Sequence, residues 1–250
     1  MRRNQLGSGY YAACAGLRAQ TQALELIADN VANISTTGYR GQQAMFRSLL
    51  ASAGHQLSNP LNHAINDFGV LEGSRTDLST GTLERTGNSL DLAIEGQGFF
   101  AIKTRGGTLY TRNGNFQVSA KGQLTTAAGD LVLGEPGLPI SLPSGDISIS
   151  PDGTISSGGA VAGKLRIVEF AAGSIPVAEG NSYYSVPTSA LRASSDSNVR
   201  QGMLESSNVN SVKAVVDMIA AQRHAEMLER AMSAFESNLD HIAANDLPKL

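Results

Sequence analysis

The sequence predicts an α+β chain in which N- and C-terminal helices pair as a coiled coil around a central all-β antiparallel domain. Three observations lead there. Toward the C-terminus, apolar residues fall at Ala214, Met218, Ala221, Ala225, Leu228, Met232, Phe235, Leu239 and Ile242, with spacings that alternate between 4 and 3 without a slip. That period keeps one narrow seam facing a partner helix. Toward the N-terminus, Tyr10, Ala13, Leu17, Gln20, Leu24, Ile27, Val31 and Ile34 repeat the pattern, with Gln20 as its one polar member. Between them, short apolar alternations are broken by a turn signal about every 8 to 12 residues, as in antiparallel β domains.

The N-terminal segment, residues 1–40, carries a helix expected from about Gly9 to Thr36. Ser35, Thr36 and Thr37 are poor helix formers. Gly38 can adopt the left-handed conformation that closes a helix, and Tyr39 can then fold back onto Ile34. Residues 41–85 read as an extended connector with few regular elements. Met45, Phe46, Leu49 and Leu50 are its apolar anchors, and Asn59-Pro60 breaks its polar stretch. Residues 86–200 read as the β domain. Leu90, Leu92 and Ile94 alternate with Asp91, Ala93 and Glu95, and turns fall at Arg112–Asn115, Lys121-Gly122, Gly129-Asp130 and Pro151–Gly153. Thr188 to Arg200 is a Ser-rich return to the last segment, residues 201–250, which holds the second seamed helix. A lone helix with such a seam would leave it in water, so each terminal helix needs a partner.

Composition agrees with this plan. The 250 residues include 41% hydrophobic and only 16% charged residues, 27 Gly and no Trp. The net charge of -3 gives no general attraction for nucleic acid or an acidic membrane. Cys14 is the single cysteine, so no intrachain disulfide can form. No apolar run reaches the ~20 residues of a membrane helix. Arg2 and Arg3 resemble the start of a signal peptide, but Ser8, Gly9 and Gly16 interrupt the apolar stretch after them, and no cleaved signal is expected.

Catalytic patterns are weak. Gly96-Gln97-Gly98-Phe99-Phe100-Ala101 matches a dinucleotide fingerprint, but the residues after it read as a strand, whereas a pyrophosphate site needs a helix to open there. Two glycines in a tight bend explain it. His55, His63, His224 and His241 lack partners at metal-ligand spacing and read as solvated. Cys14 reads as a small packing residue. Asp91 and Glu95 alternate along one strand, where charges mark the solvated face. The expectation is no catalytic residue, no metal and no cofactor. An enzyme would need a cleft with convergent titratable groups, and none is visible.

Ordered motifs add a resemblance. Ala28-Asp29-Asn30-Val31-Ala32-Asn33 followed by Thr36-Thr37-Gly38-Tyr39-Arg40 resembles the N-terminal motif of bacterial flagellar rod and hook proteins. Gly202-Met203-Leu204-Glu205-Ser206-Ser207-Asn208-Val209-Asn210, with Met218-Ile219 and Gln222-Arg223 beyond it, resembles the C-terminal one. Asp91–Phe100 and Tyr110-Thr111-Arg112-Asn113-Gly114 resemble central stretches of the family. Gly134–Ile140 resembles its proximal-rod branch, with the distal rod or hook as alternative, and Ala225 departs from the usual aromatic residue.

The resemblance implies a structural, non-enzymatic subunit of the flagellar basal body. Such subunits assemble through their terminal helices into a helical drive shaft that transmits torque from motor to hook. Its implied partners are other rod subunits, both copies of itself and neighbouring axial proteins, and the flagellar type III export apparatus, with no nucleic acid and no membrane insertion. Leu17, Leu24, Ile27 and Val31 would meet Met218, Leu228, Met232 and Phe235, with Ile219, Gln222, Arg223 and Leu239 along the same interface. Asn30, Asn33, Asn208 and Asn210 would set register, or else cap helix ends, with Gly38 and Val209 beside them. A secreted coiled-coil surface protein is the reading outside the family.

Overall fold

The computed structural model describes residues 2–47, 70–194 and 196–246. The chain divides into two compact units. One comprises residues 1–31, 42–75 and 211–250, and the other 32–41 and 76–210.

The first unit holds two helices, α1 (Arg2–Ala32) and α2 (Ser211–Asp246), and a two-stranded sheet of Gln42–Arg47 with Val70–Thr76, whose last residue belongs to the other unit. The expected seam of α2 is also the row it buries. Ala214, Ala221 and Leu228 are buried, and Met218, Ala225 and Met232 are half-buried. On α1 the buried positions are instead Gly16, Ala19 and Ala23, while Leu17, Leu24, Ile27 and Val31 are half-buried. The Gln20 side-chain amide donates to the Ala221 carbonyl at 3.2 Å, so the helices approach each other there.

This corrects the expected coiled coil, because knob-into-hole pairing is not shown. A coiled coil buries large side chains at the seam, whereas the described side-chain positions of α1 bury only glycine and alanine. The side chains of Tyr10, Ala13, Phe235, Leu239 and Ile242 lie outside the described residues. So do His55, His63, Asn59-Pro60, Leu49 and Leu50 of the expected connector. The helix α1 ends at Ala32 rather than near Thr36, because a turn intervenes in which the Thr36 amide donates to the Asn33 carbonyl at 3.1 Å.

The second unit is antiparallel β throughout. Its largest sheet has nine strands. At the centre, Phe99–Thr104 pairs with Gly107–Thr111 on one side and with Leu131–Val132 and Ile167–Phe170 on the other. A three-stranded sheet of Ile147–Ile149, Thr154–Ser157 and Ala160–Lys164 lies beside two ribbons, Leu92–Glu95 with Asn198–Gln201 and Leu83–Arg85 with Met203–Glu205. The last two strands therefore come from the far end of the unit's sequence and pair with strands from its beginning.

One core cluster includes Leu92, Ile94, Phe100, Ile102, Phe116, Leu124, Ile155 and Leu165. Phe100 and Phe116 meet edge to face at 5.1 Å. A second cluster gathers Phe99, Tyr110, Val168 and Tyr184. Each large side chain so buried stabilises the unit by about 1.5–3 kcal/mol. The expected alternation at 90–95 is only partly present. Leu92, Ala93 and Ile94 are all buried, because this strand has packing on both faces. Gly96 and Gly98 precede the strand Phe99–Thr104 directly, with no helix between, so the dinucleotide reading has no place here.

Candidate functional site

Three motifs far apart in sequence meet inside the β unit. Gly38-Tyr39-Arg40 arrives after α1, Arg112-Asn113-Gly114 follows the strand Gly107–Thr111, and Glu205 ends the strand Met203–Glu205. Arg40, Arg112 and Glu205 are each 1% exposed or less. Arg40 Nη2 lies 2.6 Å from Glu205 Oε1, and Arg112 Nη1 lies 3.1 Å from Glu205 Oε2. The Gly81 amide donates to Glu205 Oε1 at 2.7 Å. One carboxylate thus collects three donors, two of them charged, which roughly doubles the strength of each over neutral pairs.

Arg112 is further held by the Ile94 carbonyl at 2.9 Å, by the Gly96 carbonyl, and by the Phe99 ring 5.1 Å below its guanidinium. Burial pushes the Arg112 guanidinium down to about 10, with Glu205 opposing the shift and Arg40 adding to it. Arg40's amide donates to the Tyr184 hydroxyl at 2.9 Å, and burial raises that phenol above its ordinary value.

Backbone fit explains the glycines. Gly38 has φ +66°, and a Cβ there would sit 2.3 Å from the Asn113 nitrogen. A Cβ on Gly114 would sit 1.6 Å from the Leu92 carbonyl oxygen, where the Leu92 amide and the Gly114 carbonyl already bond at 3.0 Å. Only glycine permits this approach.

Asn208 closes the same region. Its Oδ1 accepts the Gly41 amide at 2.7 Å, and its Nδ2 donates to the carbonyls of Asp77 at 3.0 Å and Ser79 at 2.9 Å. The Asp77 amide in turn donates to the Gly41 carbonyl at 2.8 Å. One side chain therefore joins three segments by saturating its amide, a strong constraint in a half-buried site.

The other expected interface residues scatter. Asn30 exchanges two bonds with the backbone of Gln42, at 2.7 and 2.8 Å. Asn33 accepts from the Thr36 hydroxyl at 3.0 Å. Val209 is half-buried, and Asn210 is exposed immediately before α2. Ile219, Gln222 and Arg223 are exposed on α2, and His224 is exposed beside them. Asn30, Asn33 and Asn208 thus each bond to nearby turn or strand segments in the described structure.

Sequence reasoning missed Arg40, Arg112 and Glu205 as a group, and it placed Asp91 on a solvated face. Asp91 is buried and accepts from Asn88 Nδ2 at 3.2 Å and Asn115 Nδ2 at 3.0 Å, while Glu95 is exposed and pairs with Arg200 at 2.7 Å. The available signal was that each of the three missed charges sits inside a motif beside a glycine or a small polar residue.

The fold and this knot define a class: a chain with long helices at both ends, a β unit in the middle, and motif residues that bind the chain to itself. Three family descriptions match in order. "Flagella basal body rod protein" matches residues 11–40, "Flagellar hook protein FlgE/F/G D1 domain" matches 93–157, and "Flagellar basal body rod FlgEFG protein C-terminal" matches 200–245. The chain is 35% identical to the flagellar basal-body rod protein FlgG of Agrobacterium fabrum, over 93% of this chain and 97% of that one. It is 33% identical to FlgF of Caulobacter vibrioides, over 84% and 85%, and 34% identical to FlgF of Escherichia coli, over 89% and 92%. The chain belongs to the flagellar basal-body rod protein family.

Proposed function

We propose that the chain is a structural subunit of a bacterial flagellar basal-body rod, and that it assembles with copies of itself and with neighbouring axial subunits through its helical unit. The reading accounts for the resemblance of both ends and the centre to one family, and for relatives named FlgF and FlgG matching at near-equal identity. The observation that carries the assembly role is a second apolar row on α2. Val212 (73% exposed), Val215, Val216, Ile219 and Met227 are exposed, outside the row that Ala214, Ala221 and Leu228 bury. Val212, Val215, Val216 and Ile219 fall at helical spacing on one face. A helix that is apolar on two faces has a surface left for another molecule to cover.

Contacts between different faces of successive subunits build an open helical shaft, which suits torque transmission. Export through the flagellar type III apparatus belongs to the same reading. The test is motility in cells whose only copy carries Val216→Asp with Ile219→Asp, or Leu228→Asp. Both variants are expected to abolish swimming while the purified protein retains its β circular-dichroism signal. Normal swimming by both would sink the assembly role.

A further inference from the structure

The buried knot carries more positive charge than its direct contacts neutralise. Two guanidinium groups share the one carboxylate of Glu205. Glu169 adds a weaker, longer-range attraction to Arg112 and takes its own hydrogen bonds from Ser194 Oγ at 2.6 Å and Ser197 Oγ at 3.3 Å. The two arginines are not equally served. Arg112 Nη1 and Nη2 have carbonyl partners as well as the carboxylate, and its Nε is buried without a partner among the described residues. Arg40 Nη2 reaches Glu205, but Arg40 Nε and Nη1 are buried with no partner among the described residues. An unmatched buried donor forfeits its hydration without replacement, and a like charge nearby adds repulsion.

Residues 32–41 form a strap on the β unit, whose carbonyls at Gly41 and Tyr39 accept from the Asp77 amide at 2.8 Å and the Asn208 amide at 3.4 Å and whose own amides add three further bonds. The Gly38 amide donates to the Glu205 carbonyl at 2.7 Å, the Arg40 amide to the Tyr184 hydroxyl at 2.9 Å, and the Gly41 amide to Asn208 Oδ1 at 2.7 Å. None of these needs the Arg40 side chain. Glu205 without Arg40 would still hold Arg112 and the Gly81 amide. The strap's own side chain is therefore the least satisfied member of the group that anchors it.

We propose that Arg40 is a surplus buried cation that makes the 32–41 strap a releasable latch: it weakens the strap's attachment while Glu205 keeps it closed. The strap opens by itself, with Arg40 returning to water, while the central strands stay paired. Local opening of this kind is set by the few contacts of one segment rather than by the stability of the whole. This inference does not depend on the rod reading.

The test is amide hydrogen exchange on the full chain, resolved to residues 38–41 and to the strands Phe99–Thr104 and Gly107–Thr111. Replacing a buried charge by an apolar side chain of similar volume can stabilise, whereas removing its counter-charge exposes the full penalty. Arg40→Met is therefore expected to slow exchange at Gly38 and Gly41 by roughly threefold or more, and Glu205→Gln to speed it by roughly tenfold or more, with the central strands little changed. The double variant Arg40→Met with Glu205→Gln is expected to exchange more slowly at the strap than Glu205→Gln alone, since the unpaired repulsion is gone. Exchange in Arg40→Met that equals or exceeds the parent rate would overturn the proposal, because Arg40 would then be a net support. A double variant no better protected than Glu205→Gln, or one that fails to fold, would overturn it too.

Discussion

The helical unit and the β unit are stabilised in opposite ways. The β unit buries large aromatic and branched residues in two clusters, and it ties its sequence ends together with charge, as in Arg40–Glu205–Arg112. Among its described residues, the helical unit buries Ala19 and Ala23 on α1 and Ala214, Ala221 and Leu228 on α2, while Val212 and Val216 stay exposed. Small buried side chains contribute little transfer energy each. Among the described residues, the β unit buries most of its large apolar side chains, whereas the helical unit leaves several valines of α2 exposed.

The largest effect that would sharpen this contrast is at Gly114. Gly114→Ala forces a Cβ to 1.6 Å from the Leu92 carbonyl oxygen, so the β unit should lose more than about 4 kcal/mol or fail to fold. Soluble yield and the β circular-dichroism transition measure this. A normal transition would show that the approach is not required. Phe100→Ala removes a fully buried ring packed on Phe116, and a loss of about 3–5 kcal/mol is expected from denaturant unfolding.

Alkaline pH should weaken the same unit. Burial raises the phenols of Tyr110, Tyr183 and Tyr184 above 10.0. The folded state then holds protons that the unfolded chain releases, so this contribution to stability is full below pH 10 and is lost as pH rises through the folded values. Arg112 works the other way. Its value falls from 12.5 to about 10, so the cost of its buried charge is relieved as pH passes about 10. The two contributions oppose each other, and the phenols predict that ionisation of Tyr110, Tyr183 and Tyr184 accompanies loss of β signal. Tyrosinate formation at Tyr110, Tyr183 and Tyr184, resolved by NMR of ring-labelled tyrosine at pH 10 in a fully folded chain, would contradict this.

In the helical unit, Val216→Asp should change unfolding by no more than about 0.5 kcal/mol, since Val216 is already exposed. Its expected effect is on co-assembly, read by sedimentation or by motility. A large stability loss would mean that the exposed row is packed within the chain after all. A similarly small effect on stability is expected at the surface pair of Arg200 and Glu95, 52% and 53% exposed. Arg200→Ala should cost less than about 1 kcal/mol, and the difference should shrink in high salt.

Much of the plan was legible in the sequence. The α2 seam at Ala214, Ala221 and Leu228 is the row the helix buries, because helical period and burial are both local geometry. Turns at Gly114, Gly129 and Gly153 fall where Gly and Asn or Asp allow them. The α1 seam was misjudged, because period alone does not distinguish a stripe of Leu and Ile from the adjacent stripe of Gly16, Ala19 and Ala23. Asp91 was misjudged because alternation assumes one wet face, whereas the strand Leu92–Glu95 is packed on both.

The sequence by itself determined the two terminal helices, the turn-rich β centre and the family, since these rest on neighbouring residues and ordered motifs; the strands Gln42–Arg47, Val70–Thr76 and Leu83–Arg85, in a stretch expected to be connector, and Met203–Glu205 came only with the structure. Only the tertiary structure decided that Arg40, Arg112 and Glu205 form one buried knot, and that Asn208 clamps Gly41, Asp77 and Ser79. Glu205 lies 165 residues from Arg40 and 93 from Arg112. No local pattern selects partners at that separation. They meet because antiparallel pairing returns the strand Met203–Glu205 to Leu83–Arg85, and a carboxylate without water must take the cations that the pairing brings to it.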